Sequence, residues 1–241
     1  EIANIKKEIS IYTFKNIKMC RKIFKKLLSL EKSIVHIHYL GWHSLLLLLI
    51  NKNNKIIATP WGSDLLLNRN FLKNLWLKYI FRKTNCVITD SNRLGKISRE
   101  FGVNKKNIHL CNFAIDTDLY KKKRTIFTNR DQILIGSNRR LEKIYDVKTF
   151  IKSSQIILEN FKNIKFIIAG DGSLKDELQQ LINERKLTKN ITLIGSLNTK
   201  QMIKFYNDID IYISTSLSDG GLSSSVAEAM SFERLVIVAD N

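Results

Sequence analysis

The sequence predicts an α/β fold in which parallel sheets are covered by helices, and three observations carry that prediction. Short β-branched runs alternate with longer stretches of helical period along the whole chain. Runs such as FIIAG and LVIVA are apolar at every position, as strands sandwiched between two helix layers must be. The 241 residues are 44% hydrophobic, which is ample for buried cores in one large or two modest domains.

In chain order, the strand candidates of the first half are residues 34–40, 55–59, 86–90 and 108–111. Two basic amphipathic stretches accompany them. Residues 14–30 read FKNIKMCRKIFKKLLSL, with Phe14, Ile17, Phe24, Leu27 and Leu28 near one face, and residues 71–83 read FLKNLWLKYIFRK. In a doubly wound domain such a stripe faces its own sheet, whereas a cationic helix with aromatics also suits an anionic membrane interface. The segment 121–132, KKKRTIFTNRDQ, has no apolar period and precedes a fresh strand, so the predicted domains are 1–124 and 125–241. Beyond it the strand candidates are 133–136, 164–169, 191–194, 209–214 and 235–239. Among the helices, one starts at Val147, Ser173 is expected to cap 174–186 with Asp176 as its reciprocal partner, and Thr199 is expected to cap 200–207.

Charge is distributed unevenly. Of the net +18, residues 1–128 carry 25 Lys and Arg against 8 Asp and Glu, whereas the remainder carries 15 against 14. Such asymmetry marks an anionic partner for one half, either nucleic acid or an acidic membrane surface; the alternative is surface drift to lysine in a Lys-rich proteome. The three cysteines at 20, 86 and 111 form no CxxC pair and have no closely spaced histidine, so neither zinc nor a disulfide framework is supported. The longest apolar run, 45–50, is far short of the roughly 20 residues that cross a bilayer. A reducing cytoplasm fits this cysteine usage.

Two segments of the second half carry chemistry. After the strand QILIG come Arg139, Arg140 and Lys143, cations at the carboxyl edge of the sheet, where doubly wound folds bind ligands and where a guanidinium can fork onto phosphate. A solvated basic turn is the other reading. Further on, Ser218, Asp219, Gly220, Gly221, Leu222 and Ser223 run into a helix bearing Glu228. A turn of small residues opening onto a helix exposes N–H groups at the positive end of the dipole, a ready site for a diphosphate, and Glu228 can accept two hydrogen bonds from a ribose diol.

In order, RRLEKIYDV, FIIAGDGSLKDEL, ITLIGSL, FYNDIDIYISTSLSDGG, SSVAEAM and LVIVADN resemble the C-terminal domain of glycosyltransferase group 1, the retaining family 4 enzymes of GT-B architecture. VHIHYLG, ATPWGSD and the segment 87–120 are similar to that family's N-domain, so the resemblance covers most of residues 34–241. It implies two Rossmann-like doubly wound domains, the N-terminal one incomplete and the C-terminal one lacking its closing helices. It also implies that Arg139 or Arg140, with Lys143, binds the donor diphosphate, that Glu228 holds the nucleotide ribose, and that Gly195 and Ser196 lie at the nucleobase. Asp219 matches the acid near the donor sugar, although eight residues separate it from Glu228 where the family usually has seven. The family's TPHG-like histidine is replaced by Trp61, which cannot exchange protons, leaving Asp64, His38 and His43 as the groups that could approach the cleft. His36 and His38 alternate onto one strand face, where the plainer reading is an edge or core pair.

The resemblance therefore implies transfer of a sugar from a nucleotide-diphosphate donor to a glycan or lipid-linked acceptor in surface polysaccharide or lipopolysaccharide synthesis. No metal or other cofactor is expected, because oriented N–H groups and cations can neutralise the leaving group. The expected setting is cytoplasmic, peripheral on the inner face of the cell membrane. Two rival readings are a UDP-sugar epimerase of the same architecture and a basic nucleic-acid-binding protein. The second is suggested by charge alone, without a nucleic-acid motif.

Overall fold

The computed structural model describes residues 31–41, 43–44, 53–67, 69–112, 114–121 and 132–240, together with 23, 25, 26, 28 and 29. The apolar run 45–50, most of the basic stretch 14–30 and most of the segment 121–132 lie outside the described residues. Among the described residues the strands form two wholly parallel sheets with helices between them, the α/β architecture expected from the apolar runs. No described helix is long and apolar enough to cross a membrane.

The chain divides into two compact units, Glu1–Leu110 and Cys111–Asn241. The division falls before the expected 124/125 boundary, and Tyr120, ahead of that boundary, already packs on the second core. The Tyr120 ring packs edge-on against Tyr206 and Phe232, at centroid distances of 6.4 and 6.3 Å.

In the first unit, β1 (Ile34–His38), β2 (Lys55–Thr59), β3 (Cys86–Thr89) and β4 (Ile108–Leu110) lie in the order β1-β2-β3-β4. β1 stops short of the expected residue 40 because Tyr39 turns into the left-handed region, at φ 64°. Three helices follow β2 and β3: α1 (Ser63–Leu66), α2 (Phe71–Lys83) and α3 (Asn92–Glu100). The side chains of Asn70 and Ser91 cap α2 and α3 by accepting from Lys73 N and Leu94 N. Leu77, Ile80 and Phe81 of α2 and Leu94 and Ile97 of α3 bury against Ile56, Ala58 and Val87. The inward stripe of the second amphipathic stretch thus faces its own sheet.

The second unit holds β5 (Ile133–Ser137), β6 (Ile164–Ala169), β7 (Ile191–Gly195), β8 (Ile211–Ser214) and β9 (Leu235–Val238) in the order β7-β6-β5-β8-β9. Its helices are α4 (Val147–Asn160), α5 (Lys175–Glu184), α6 (Thr199–Asp208) and α7 (Ser224–Ser231). Phe150 and Ile151 of α4 and Leu178 and Ile182 of α5 pack with Ile135, Phe166 and Ile168 in one core layer. Phe205 and Tyr206 of α6 and Val226 and Ala229 of α7 pack with Tyr212 and Phe232 in another. The winding runs outward from β5 through β6 to β7, then returns to β8 and β9 on the far side of β5. The direction reverses between β5 and β8, and such a reversal opens a ligand crevice at the carboxyl ends of those two strands.

Two cap expectations are corrected. Ser173 does not cap α5: its N–H and hydroxyl donate to Glu142 Oε1 and Oε2 at 3.0 and 2.6 Å, and the helix begins beyond it without a side-chain cap. Asn198, one residue before Thr199, caps α6 in a reciprocal box with Gln201. The second strand of the reversal also starts late, at Ile211, because Ile209 is buried as the C-cap of α6 and Asp210 Oδ2 accepts from Leu134 N.

Candidate functional site

The exits of β5 and β8 converge at the reversal. Thr215 Oγ1 donates to the carbonyls of Tyr145 and Asp146 at 3.1 and 2.9 Å, and Leu217 N donates to the carbonyl of Ile144 at 2.9 Å. These bonds tie the segment carrying Arg139 and Lys143 to the turn carrying Asp219. Arg139 is the junction between them. Its Nη2 donates to Asp219 Oδ1 at 2.5 Å, its Nη1 donates to Ser225 Oγ at 2.9 Å, and its guanidinium carbon lies 4.5 Å from the centre of the Tyr145 ring. The Arg139 side chain is only 10% exposed, and its Nε is buried without a hydrogen-bond partner. Lys143 is exposed, in a single helical turn, Lys143–Tyr145.

The turn after β8 opens onto α7 without a side-chain cap. Ser223 is the N-cap of α7 but its hydroxyl caps no backbone N–H, lying instead 3.3 Å from Ser225 Oγ. The first-turn N–H groups are therefore left without a side-chain cap at the positive end of the helix. Ser216 Oγ donates to Asp219 Oδ1 at 3.0 Å and so orients this acid together with Arg139. Gly220 is buried and Gly221 half-buried, with Leu222 projecting to solvent.

Glu228 is held from below by a directed chain of hydrogen bonds. Tyr212 Oη donates to Asn138 Oδ1 at 2.7 Å, Asn138 Nδ2 donates to Tyr206 Oη at 2.7 Å, and Tyr206 Oη donates to Glu228 Oε2 at 2.8 Å. Burial pushes the Tyr212 hydroxyl up to about 12 and the Tyr206 hydroxyl further still, so both remain neutral donors. Burial also raises the Glu228 carboxyl above its ordinary value, and the Tyr206 hydroxyl opposes that rise.

Alongside lies a cleft of about 570 Å³ lined by Asn138, Arg140, Gly170, Gly172, Ser196 and Met202, among others. Arg140 and Ser196, expected from the sequence, are here; Gly195 ends β7 beside it with φ 74°. Its floor depends on glycine. A side chain at Gly170 would start 2.3 Å from the Arg139 carbonyl oxygen, and one at Gly172 would start 2.5 Å from that of Leu141. Leu141 N in turn donates to the Asp171 carbonyl at 3.0 Å. The sequence reading missed Asn138, Tyr206 and the Gly-Asp-Gly turn as site residues. Only the turn left a signal, as two glycines directly after an apolar strand.

In the first unit, the residues expected on the acceptor side gather where β1 and β2 end. The His38 ring lies 4.1 Å from that of His36 and 5.9 Å from that of Trp61, and His43 lies in the turn beyond β1. His36 Nε2 shares a 2.7 Å hydrogen bond with Thr59 Oγ1, and its pKa is lowered by burial and by His38. Asp64 is placed differently from the other three. It is 2% exposed, and its two oxygens accept from Leu40 N at 2.7 Å and Trp61 N at 2.9 Å. Burial raises its pKa while those backbone N–H groups oppose the rise. A carboxylate buried and bonded in this way fastens two loops together.

Comparison with known proteins matches residues 118–241 to the family described as glycosyl transferases group 1, and residues 5–119 to glycosyltransferase family 4. An uncharacterised glycosyltransferase of Methanocaldococcus jannaschii is 30% identical over 173 residues, covering 68% of this chain and 41% of its own. The poly(ribitol-phosphate) alpha-N-acetylglucosaminyltransferase of Staphylococcus aureus is 29% identical over 170 residues, covering 68% of this chain and 32% of its own. The chain thus spans less than half the length of these curated relatives. The fold is shared with an S. aureus TarM mutant solved with fondaparinux, alpha-GlcNAc-glycerol and UDP, at TM-score 0.72 and 24% identity over 91% of this chain and 44% of that one.

Proposed function

Because this chain belongs to the glycosyl transferases group 1 family and has the paired Rossmann-like units of GT-B enzymes, we propose that it serves sugar transfer from a nucleoside-diphosphate donor held by its second unit. The observation that carries this reading is the meeting of the β5 and β8 exits at the winding reversal, with Arg139, Asp219 and the uncapped start of α7 in one place. The UDP in the TarM complex supports a nucleoside diphosphate as the leaving group.

As the donor's glycosidic bond breaks, negative charge grows on the diphosphate. The N–H groups of Ser224 and Ser225, with Arg139 or Arg140 and Lys143, neutralise that charge. This supply of positive charge makes transfer independent of a metal. Glu228, aimed by Tyr206, accepts from the ribose diol. Asp219 leaves Arg139 as the diphosphate arrives and turns to the donor sugar hydroxyls. Gly195 and Ser196 frame the base beside the cleft. The acceptor hydroxyl attacks on the leaving-group face as the bond to the diphosphate breaks, its proton passing to the departing phosphate oxygen, so configuration is retained, and Trp61, His38 and His43 line the acceptor's side. The acceptor is a glycan or lipid-linked glycan of surface polysaccharide synthesis, and the setting is cytoplasmic, peripheral on the inner face of the cell membrane.

Thermal unfolding with a panel of nucleoside diphosphates tests the donor site. One nucleotide, at a hundred times its Kd, should stabilise the wild type by about 2.7 kcal/mol. Glu228→Ala should remove most of that gain, and an equal gain in wild type and variant would remove the assignment.

A further inference from the structure

α2 has two apolar faces, and only one is used by the core. Leu77, Ile80 and Phe81 are buried, whereas Phe71, Leu72 and Leu75 are 80%, 71% and 58% exposed. With 3.6 residues per turn, Phe71, Leu75, Lys78 and Arg82 fall along one outward line, and Leu72, Tyr79 and Lys83 fall beside it. Lys78, Arg82 and Lys83 are all exposed, and Lys83 Nζ lies 5.9 Å from the centre of the Tyr79 ring. The thirteen residues of α2 include no Asp or Glu. The outward face is therefore bulky and apolar toward its N-terminal end and cationic toward its C-terminal end.

Single exposed apolar residues are ordinary on a protein surface, but three large ones within two turns beside uncompensated cations are not. The surrounding unit reinforces the charge, with 21 Lys and Arg against 6 Asp and Glu in residues 1–110. A polyanionic chain would engage the cations and leave Phe71, Leu72 and Leu75 in water. An anionic bilayer engages both, since headgroup phosphates face the cations while the apolar side chains enter the acyl boundary.

We propose that the outward face of α2 is a docking surface for an anionic lipid bilayer, with Phe71, Leu72 and Leu75 inserted and Lys78, Arg82 and Lys83 at the headgroups. This names the contact surface for the membrane setting proposed above and is independent of the donor site.

Sedimentation of the full chain with vesicles tests it. The protein should pellet with vesicles of equal parts phosphatidylcholine and phosphatidylglycerol and stay in solution with phosphatidylcholine alone. Replacing Lys78, Arg82 and Lys83 together by Gln should weaken binding about a hundredfold, at about fivefold per cation. Replacing Phe71, Leu72 and Leu75 together by Ser should weaken it at least about tenfold. Circular dichroism and the nucleotide-induced thermal shift should be unchanged in both variants, which separates loss of docking from loss of fold or of donor binding. Wild-type binding by the Ser variant would overturn the proposal. So would capture of both wild type and Ser variant by inorganic polyphosphate with no affinity for vesicles, the result a polyanionic partner gives.

Discussion

Arg139 and Asp219 neutralise one another in the second unit, and neither could have been paired from sequence because they lie 80 positions apart. What the sequence did carry was each residue's place at a strand exit, since cations and glycine turns at those points follow from the local pattern. Asn138 and Tyr206 were not legible. An asparagine after a strand and a tyrosine on a helix face have no special pattern until the fold brings them within 2.7 Å. Tyr206 gives a prediction at this scale. Glu228 accepts both hydrogen bonds of a ribose diol most strongly as the carboxylate, and its pKa is already raised by burial, so nucleotide affinity should fall on acidification at a pH above the ordinary 4.5 of a glutamate. Tyr206→Phe removes the hydroxyl that opposes the rise. The inflection in a calorimetric pH profile of nucleotide binding should therefore move to higher pH, and an unmoved inflection would contradict the positioning role.

Strands were legible to within a residue or two. In a parallel sheet covered on both sides they appear as continuous apolar runs, and where ends differed a local event moved them, such as the left-handed turn at Tyr39 or the long α6 before β8. Helix starts were less legible, because a capping hydroxyl is judged by its neighbours while its partner can come from elsewhere. Ser173 illustrates this, being taken by Glu142, 31 residues earlier. The Gly-Asp-Gly turn after β6 shows how an element supports the site from behind. Gly170 has φ 139° and its missing side chain leaves room for the Arg139 carbonyl. Gly170→Ala should destabilise the fold by at least about 1–3 kcal/mol from backbone strain alone, displace the Arg139 loop, and weaken nucleotide binding. Denaturant unfolding and nucleotide titration of the same variant check both effects, and unchanged affinity would show that the loop does not depend on this turn.

At the scale of the whole molecule, the class of fold was evident from periodicity, whereas the strand order that creates the β5–β8 crevice required coordinates. The two units have separate cores, and Asp64 offers a test of how local their stabilities are. Asp64→Ala removes the bond from Trp61 N and leaves the buried N–H of Leu40 without its carboxylate, the latter alone costing about 1–3 kcal/mol. Amide exchange should then accelerate in β1 and β2 while protection of β5 and β6 is kept; equal acceleration in both sheets would mean that the units open together. The division of charge has a kinetic corollary. Residues 129–241 are almost neutral, and their best-placed guanidinium is already paired with a carboxylate, so this part of the chain projects little field into solvent. Long-range attraction of an anionic donor then originates in residues 1–128. Ionic strength should govern how often donors arrive, through screening over roughly 8–10 Å, far more than how long they stay.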